Sequence, residues 1–360
     1  MPADRTVVTE LATALGTLPY DDLESALAAR PATVRIDATD WDRLDRLYAS
    51  GAYERDFRSA FGNGRAFAAA ADGLAGRPPR LVEWTGGRRA SGDEVVPVDL
   101  RIDHVYLVSC KYLSVNIANP SPARIFDGLL ATTGAWDRTD WYQLIAPEEY
   151  QELYRSCLDA LGPHGLGPDA LGPDALGLDD LPDEASALTV TQRRRLRRAL
   201  GGANFPPGAV VAYQRLSAAV STRSARRWCA SLSSIEPELM VWRLLRIGSA
   251  PYFLLGAHGS SSLRLRIDTT WDWHQAYKFR GLRTVAADAG QPRVDWSATC
   301  TDRATGATRS VAGHVEVRWS HGRFGQPPEA KIYLDTPVDE VPGYHPLEPS
   351  VTGQGRFPVI

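Results

Sequence analysis

Lysine is almost missing from this chain. Of 40 Lys and Arg residues, only Lys111, Lys278 and Lys331 are lysines. Cysteine is sparse and scattered. Cys110, Cys157, Cys229 and Cys300 form no CxxC pair, which excludes a zinc ribbon or a disulfide framework and fits a reducing cytosol. Neither sign of charge dominates. A net charge of −3 gives no global pull toward nucleic acid or anionic membrane, so any such binding has to come from local patches. No apolar run approaches the roughly 20 residues that span a bilayer. The N-terminal MPADRTVVTELATALG has no basic start followed by an apolar stretch, so no signal peptide is expected and a cytoplasmic location follows. GxxxxGK[ST], a GxGxxG after a strand, and GxSxG are all missing. That excludes a P-loop motor, a dinucleotide site of that type and a hydrolase elbow.

What is present is ordinary globular material, 44% hydrophobic and 23% charged, in a chain of 360 residues long enough for two domains. Residues 1–76 carry apolar side chains at three- and four-residue intervals and predict helices, stopped by Gly76, Pro78 and Pro79. Three β-type runs follow, RLVEWTG (80–86), EVVPVDLRI (94–102) and HVYLVSCKYL (104–113), the last two joined by a tight turn near Asp103. NPSPARIFDGLLATT (119–133) predicts a helix, DWYQLIA (140–146) a strand, and PEEYQELYRSCLDAL a further helix. The order is α-β-β-β-α-β with extra helices in front. The imperfect LGPDA repeat that follows is too rich in Gly, Pro and Asp for a packed core and predicts a flexible loop. Four segments result: 1–50 helical, 51–160 a core, 161–187 the repeat loop, and 188–360 an Arg-rich helical stretch with a mainly β second domain. SLRLRIDTT, RVDWSATC, HVEVRWS and AKIYLD are the strand candidates of that last part.

The stretch VPVDLRIDHVYLVSCKYLS explains where one rare lysine went. In a hairpin, residues of matching parity share a face. With the turn near Asp103 and His104, Asp99 lies roughly opposite Ser109, and Ser109 and Lys111 point the same way. A carboxylate beside an ammonium suits phosphodiester hydrolysis. The carboxylate gives a divalent cation hard oxygen contacts, and the cation activates water. A compact ammonium orients that water better than a bulky, permanently charged guanidinium. The plain alternative is a cross-strand salt bridge of small energetic value.

The αβββαβ order, with Pro97-Val98-Asp99 on the second strand and Ser109-Cys110-Lys111 on the third, resembles the PD-(D/E)xK nuclease superfamily, the restriction-endonuclease-like fold. The resemblance covers roughly residues 50–146. It implies an α+β or α/β core, Asp99 and Lys111 as catalytic residues, Mg²⁺ or Mn²⁺ as cofactor, DNA rather than RNA as substrate, and a role in defence against phage or foreign DNA. Where the superfamily usually has Asp or Glu, this chain has Ser109. The second carboxylate then has to come from elsewhere: Glu83 on the preceding strand first, Asp103 at the turn next, with Glu54, Asp56 and Asp127 as further candidates. Catalytic residues are therefore expected at Asp99, Lys111, Ser109 and Glu83, and metal ligands at Asp99, Glu83 and Asp103. Ser109 also supports a rival, a nuclease-fold module without catalysis that binds nucleic acid or scaffolds a multi-subunit complex, with homo-oligomers allowed.

Residues 191–250 hold eleven arginines against the two acids Glu236 and Glu238. Arg193, Arg194, Arg195, Arg197 and Arg198, joined by Arg226 and Arg227, predict either a solvated helix face or a phosphate-backbone contact. Glu329-Ala330-Lys331 is formally ExK but follows GQPP, so it reads as a coincidental match, with a second polar site in the β region as its alternative. Lys278 sits among aromatics. A small-molecule or modified-base pocket in the Trp-rich β region is a third reading.

Overall fold

The computed structural model describes residues 2–86, 96–112, 116–131, 140–161, 180–201, 205–258 and 261–348. The LGPDA repeat lies almost entirely outside them, as does the linker GRRASGD. Among the described residues the architecture is α+β, with one mixed seven-stranded sheet and one antiparallel five-stranded sheet.

Four helices lead the chain: α1 (Asp4–Gly16), α2 (Leu23–Ala29), α3 (Ala38–Ala49) and α4 (Glu54–Ala69). α1 is buried nearly all round, with Val7, Val8, Leu11, Ala12, Ala14 and Leu15 covered and the polar Thr9, Glu10 and Thr13 covered as well. It crosses α4 at glycines: a Cβ on Gly16 would lie 2.2 Å from the Phe61 carbonyl oxygen, and one on Gly64 would lie 2.1 Å from that of Thr13. Alanine at either position would push the helices apart.

The mixed sheet draws strands from both halves of the chain. These are β1 (Val34–Arg35), β2 (Val82–Trp84), β3 (Leu100–Ile102), β4 (Tyr106–Tyr112), then, after β5 (Asn116–Ala118) of the other sheet, β6 (Tyr252–His258), β7 (Ser261–Ile267) and finally β12 (Tyr344–Pro346). The order across it is β1-β2-β3-β4-β6-β7-β12. β2, β3 and β4 form the expected antiparallel meander, with Leu100 opposite Val108. β6 then lies parallel to β4, Ser109 beside Leu254 and Lys111 beside Gly256.

That parallel neighbour is a correction. The strand expected over 140–146 is helix α6 (Trp141–Ile145), after the short α5 (Pro122–Phe126). Asp140 caps α6 by accepting from the Tyr142 amide at 3.1 Å, and Trp141 and Tyr142 are both buried. A capping aspartate followed by a compact apolar turn outweighs the β propensity of the aromatics. YFLLGA at the start of β6 has the continuous apolar run that a strand covered on both faces requires.

The antiparallel sheet runs β5-β11-β10-β9-β8, using β8 (Tyr277–Asp288), β9 (Pro292–Asp302), β10 (Thr308–Arg318) and β11 (Glu329–Leu334). The strands expected at RVDWSATC, HVEVRWS and AKIYLD are present; β8 is a strand that the periodicity does not predict. The predicted helices PEEYQELYRSCLDAL and TQRRRLRRAL are α7 (Pro147–Leu161) and α8 (Val190–Ala199), the second opened by a Thr189/Gln192 capping box. The long α9 (Val210–Leu232) packs across β8 and β9, with α10 (Pro237–Leu244) after it and α11 (Thr270–Ala276) between β7 and β8. Two cores result: α1 and its neighbours cover one face of the mixed sheet, and a larger core fills the space around α9 and the second sheet. Among the described residues no helix is long and apolar enough to cross a membrane.

Candidate functional site

Asp99 stands one residue before β3, yet its backbone is held on both sides. Its N–H donates to the Val108 carbonyl at 2.8 Å, and its carbonyl accepts from Thr85 at 3.0 Å. The side chain is thereby delivered to β4. One carboxylate oxygen, Oδ2, accepts from the Cys110 amide at 2.6 Å and lies 3.3 Å from Ser109 Oγ. The hairpin does bring Asp99 and Ser109 together. Lys111 follows on the Ser109 face of β4, about 7 Å along by strand rise.

The end of β4 is fixed by a polar network that sequence reasoning missed. Asn63 of α4, fully buried, donates to Tyr112 Oη at 2.8 Å and to the Gly256 carbonyl at 2.7 Å, and accepts from Arg264 Nε at 2.8 Å. Thr13 of α1 meets Tyr112 Oη at 3.3 Å. Gly256 is obligatory at its place, because a Cβ there would lie 1.8 Å from the Lys111 carbonyl oxygen. Both neighbours of the lysine strand are therefore set by backbone contact and buried hydrogen bonds.

Glu10 is the second residue that sequence reasoning missed. It is buried in α1 and accepts from Trp84 Nε1 at 2.5 Å. Burial, then the nearby Asp99 charge, raise its pKa from 4.5 to about 8, against the lowering pull of Trp84. The same surroundings push the Cys110 thiol up: burial first, then Asp99 and Glu10. The Glu10 and Asp99 carboxylates thus disfavour each other's ionisation, Glu10 approaching from the Cys110 face of β4, across the strand from Ser109 and Lys111. TVVTELATAL carries no signal of this, because Thr6, Thr9, Glu10 and Thr13 recur at helical spacing and read as an ordinary solvent-facing stripe.

The other candidates are placed differently. Glu83 is opposite Arg101 and lies 3.2 Å from His104 Nδ1. Asp103 takes a left-handed turn conformation, φ 50°, and its Oδ1 accepts from the amides of Arg80 and Leu81 at 2.8 and 2.9 Å. It stands four positions beyond Asp99, roughly 13 Å along an extended strand. Glu54 pairs with Arg58, Asp56 with Arg5, and Asp127 with Arg227. Among the described residues, no group of three or more His, Cys, Asp or Glu side chains is placed to hold a metal ion. Glu10 and Asp99 remain as a pair of hard oxygen donors.

The arginines divide. Arg193 reaches the Phe324 carbonyl at 3.2 Å and the buried Asp140 at 3.7 Å, and Arg195 forms a two-bond pair with Asp180. Arg223 clamps Glu149, and Arg227 pairs with Asp127 while lying 5.4 Å over the Trp141 ring. Arg194, Arg197, Arg198 and Arg226 reach the surface. Part of the expected patch is therefore internal scaffolding. Comparison with family models, with curated proteins and with solved structures yields no match to this chain.

Proposed function

We propose that this chain is a metal-dependent nuclease that hydrolyses phosphodiester bonds of DNA, with a restriction-endonuclease-like core formed by α4, β2, β3, β4 and β6. The observation that carries the reading is the Asp99–Ser109 contact across the hairpin, which puts a carboxylate on the strand face that also carries Lys111. A meander followed by a strand parallel to its third member supports the same core.

The donor set fits Mg²⁺ or Mn²⁺, which are bound through one or two carboxylates and otherwise keep water and substrate phosphate as ligands. Bound at this end of the sheet, such a cation supplies charge neutralisation at the phosphate and a more acidic water. Asp99 is the principal ligand. Glu10, rather than Glu83 or Asp103, is the second, since the Asp99 charge already reaches it. Ser109 and the Cys110 amide hold the Asp99 carboxylate in orientation. Lys111 positions the attacking water and offsets charge developing on the phosphate. The surface arginines Arg194, Arg197, Arg198 and Arg226 supply a salt-dependent backbone contact. A cytoplasmic role in defence against foreign DNA follows from the superfamily resemblance.

Ser109 favours one competitor, a non-catalytic module that binds nucleic acid. Linear, nicked and single-stranded DNA incubated with Mg²⁺ or Mn²⁺ separates the two. Cleavage by the parent that Asp99→Ala and Lys111→Ala both abolish supports the enzyme. Salt-sensitive binding without cleavage by the parent supports the module and refutes the enzyme.

A further inference from the structure

A cavity of about 520 Å³ opens at one end of the five-stranded sheet, against the start of α9 and away from the Asp99 site. Its volume is that of a small-molecule site. One wall is aromatic. Phe205 and Tyr213 lie 4.5 Å apart at 30°, and Trp319 is 6.2 Å from Phe205. The other side is cationic: Arg318, Arg323 and Lys331 line it, and among the described residues no carboxylate does.

The cations are held in place from behind. Glu316, buried on β10, accepts from Gln291 Nε2 at 2.5 Å and from Arg318 Nη1 at 3.3 Å, and stands opposite Lys331 in the strand register. Arg323 lies over Phe205, its Cζ 4.0 Å from the ring centroid, and donates to the Leu200 carbonyl at 3.3 Å. Tyr142 anchors the floor by donating to the Val317 carbonyl at 2.7 Å. Rigid rings beside ordered cations suit a planar base carrying an anion, because any base offers a π-face and phosphate pairs well with guanidinium and ammonium.

From this we infer that the cavity is a nucleotide-binding site, with Tyr213 and Trp319 as the surface for the base, Phe205 held between Tyr213 and Arg323 as its backing, and Arg318, Arg323 and Lys331 as the phosphate contacts. The same chemistry is presented by a free mononucleotide and by an unstacked nucleotide of a single strand. Lys331 is then the second scarce lysine with an assigned task, independent of the Asp99 site.

The test is equilibrium binding in EDTA, where any metal-dependent cleavage is silent, so success or failure here is separate from that of the nuclease reading. The probes are AMP, adenosine and a short labelled oligothymidylate. Two results support the site. In the first, AMP binds, adenosine binds at least about tenfold more weakly, and Lys331→Gln weakens AMP by about tenfold, the effect of removing one charge-assisted hydrogen bond. In the second, AMP is silent and the oligonucleotide binds with the same sensitivity to Lys331→Gln, which assigns the site to a nucleotide within a strand. In either case Lys331→Arg and Asp99→Ala retain binding. Arg318→Gln, on the rim, replaces Lys331→Gln if near-ultraviolet circular dichroism shows the latter misfolded. Absence of binding by both AMP and the oligonucleotide overturns the inference. So does binding that these substitutions leave unchanged.

Discussion

Replacing Glu10 with glutamine should stabilise the protein, and do so only as pH rises. The folded-state pKa of Glu10 is raised from 4.5 to about 8, by burial first and by the Asp99 charge second. An acid whose folded pKa is raised contributes its full stability below the unfolded value and loses it as pH climbs through the folded one. The window is therefore about pH 4.5 to 8. At about 1.4 kcal/mol per pH unit, a gap of some 3.5 units sets a ceiling of about 5 kcal/mol above pH 8, and about 3 kcal/mol at pH 7. Glutamine keeps an acceptor for Trp84 and removes the titration. Urea unfolding in EDTA at fixed ionic strength, from pH 4.5 to 9, should show the stability of Glu10→Gln minus that of the parent near its minimum at pH 4.5 and rising by several kcal/mol. A fixed concentration of Mg²⁺ at pH 8 should narrow the gap, because it stabilises the parent more than the variant, whose ion binding is weaker. A difference that is flat with pH, or that falls, would refute the buried-carboxylate argument.

Gly256→Ala should cost about 2 kcal/mol or more, because the new methyl meets the Lys111 carbonyl; chemical denaturation measures it, and a change below about 0.5 kcal/mol would show that β4 and β6 separate freely. His345 has its pKa raised above 6.5 chiefly by the hydrogen bond to Asp268, 2.8 Å away. Its contribution is complete below pH 6.5 and is lost as pH rises through the folded value. The stability deficit of His345→Gln should shrink from pH 6 toward pH 8.5, and a deficit that grows would contradict the sign. Substituting Arg194, Arg197 and Arg198 together by alanine should flatten the salt dependence of DNA binding, by about 0.9 in log–log slope for each phosphate that is no longer neutralised. The same experiment on Arg223 should instead lower stability, since that side chain clamps Glu149.

The hairpin is legible in the sequence because strand parity is a local rule. Asp103 and His104 mark the turn, and counting outward from them places Asp99 near Ser109 without any tertiary information. The strand beside β4 is not legible in the same way. It begins at Tyr252, far along the chain from Tyr112, and nothing local distinguishes its apolar run from a buried helix. DWYQLIA misleads because its aromatics favour strands, while the cap at Asp140 acts on the backbone and favours a helix. Glu10 escapes notice because an acid in a helical pattern is normally solvent-facing; only the packing of α4 and the sheet around α1 seals it. The arginine run is legible as charge but not as partnership. Asp140, Asp180 and Phe324 lie in other segments; Asp140 and Phe324 turn Arg193 into an internal tie, and Asp180 engages Arg195 in an exposed ion pair.

Cation binding at the N-terminal end of β3 is what the whole functional account rests on. Manganese binding followed by electron paramagnetic resonance at pH 8 should give a saturable ion that Asp99→Asn abolishes and Glu10→Gln weakens, while Glu83→Gln and Asp103→Asn leave it intact. Equal manganese affinity in all five proteins, or loss confined to the Glu83 and Asp103 variants, would contradict it.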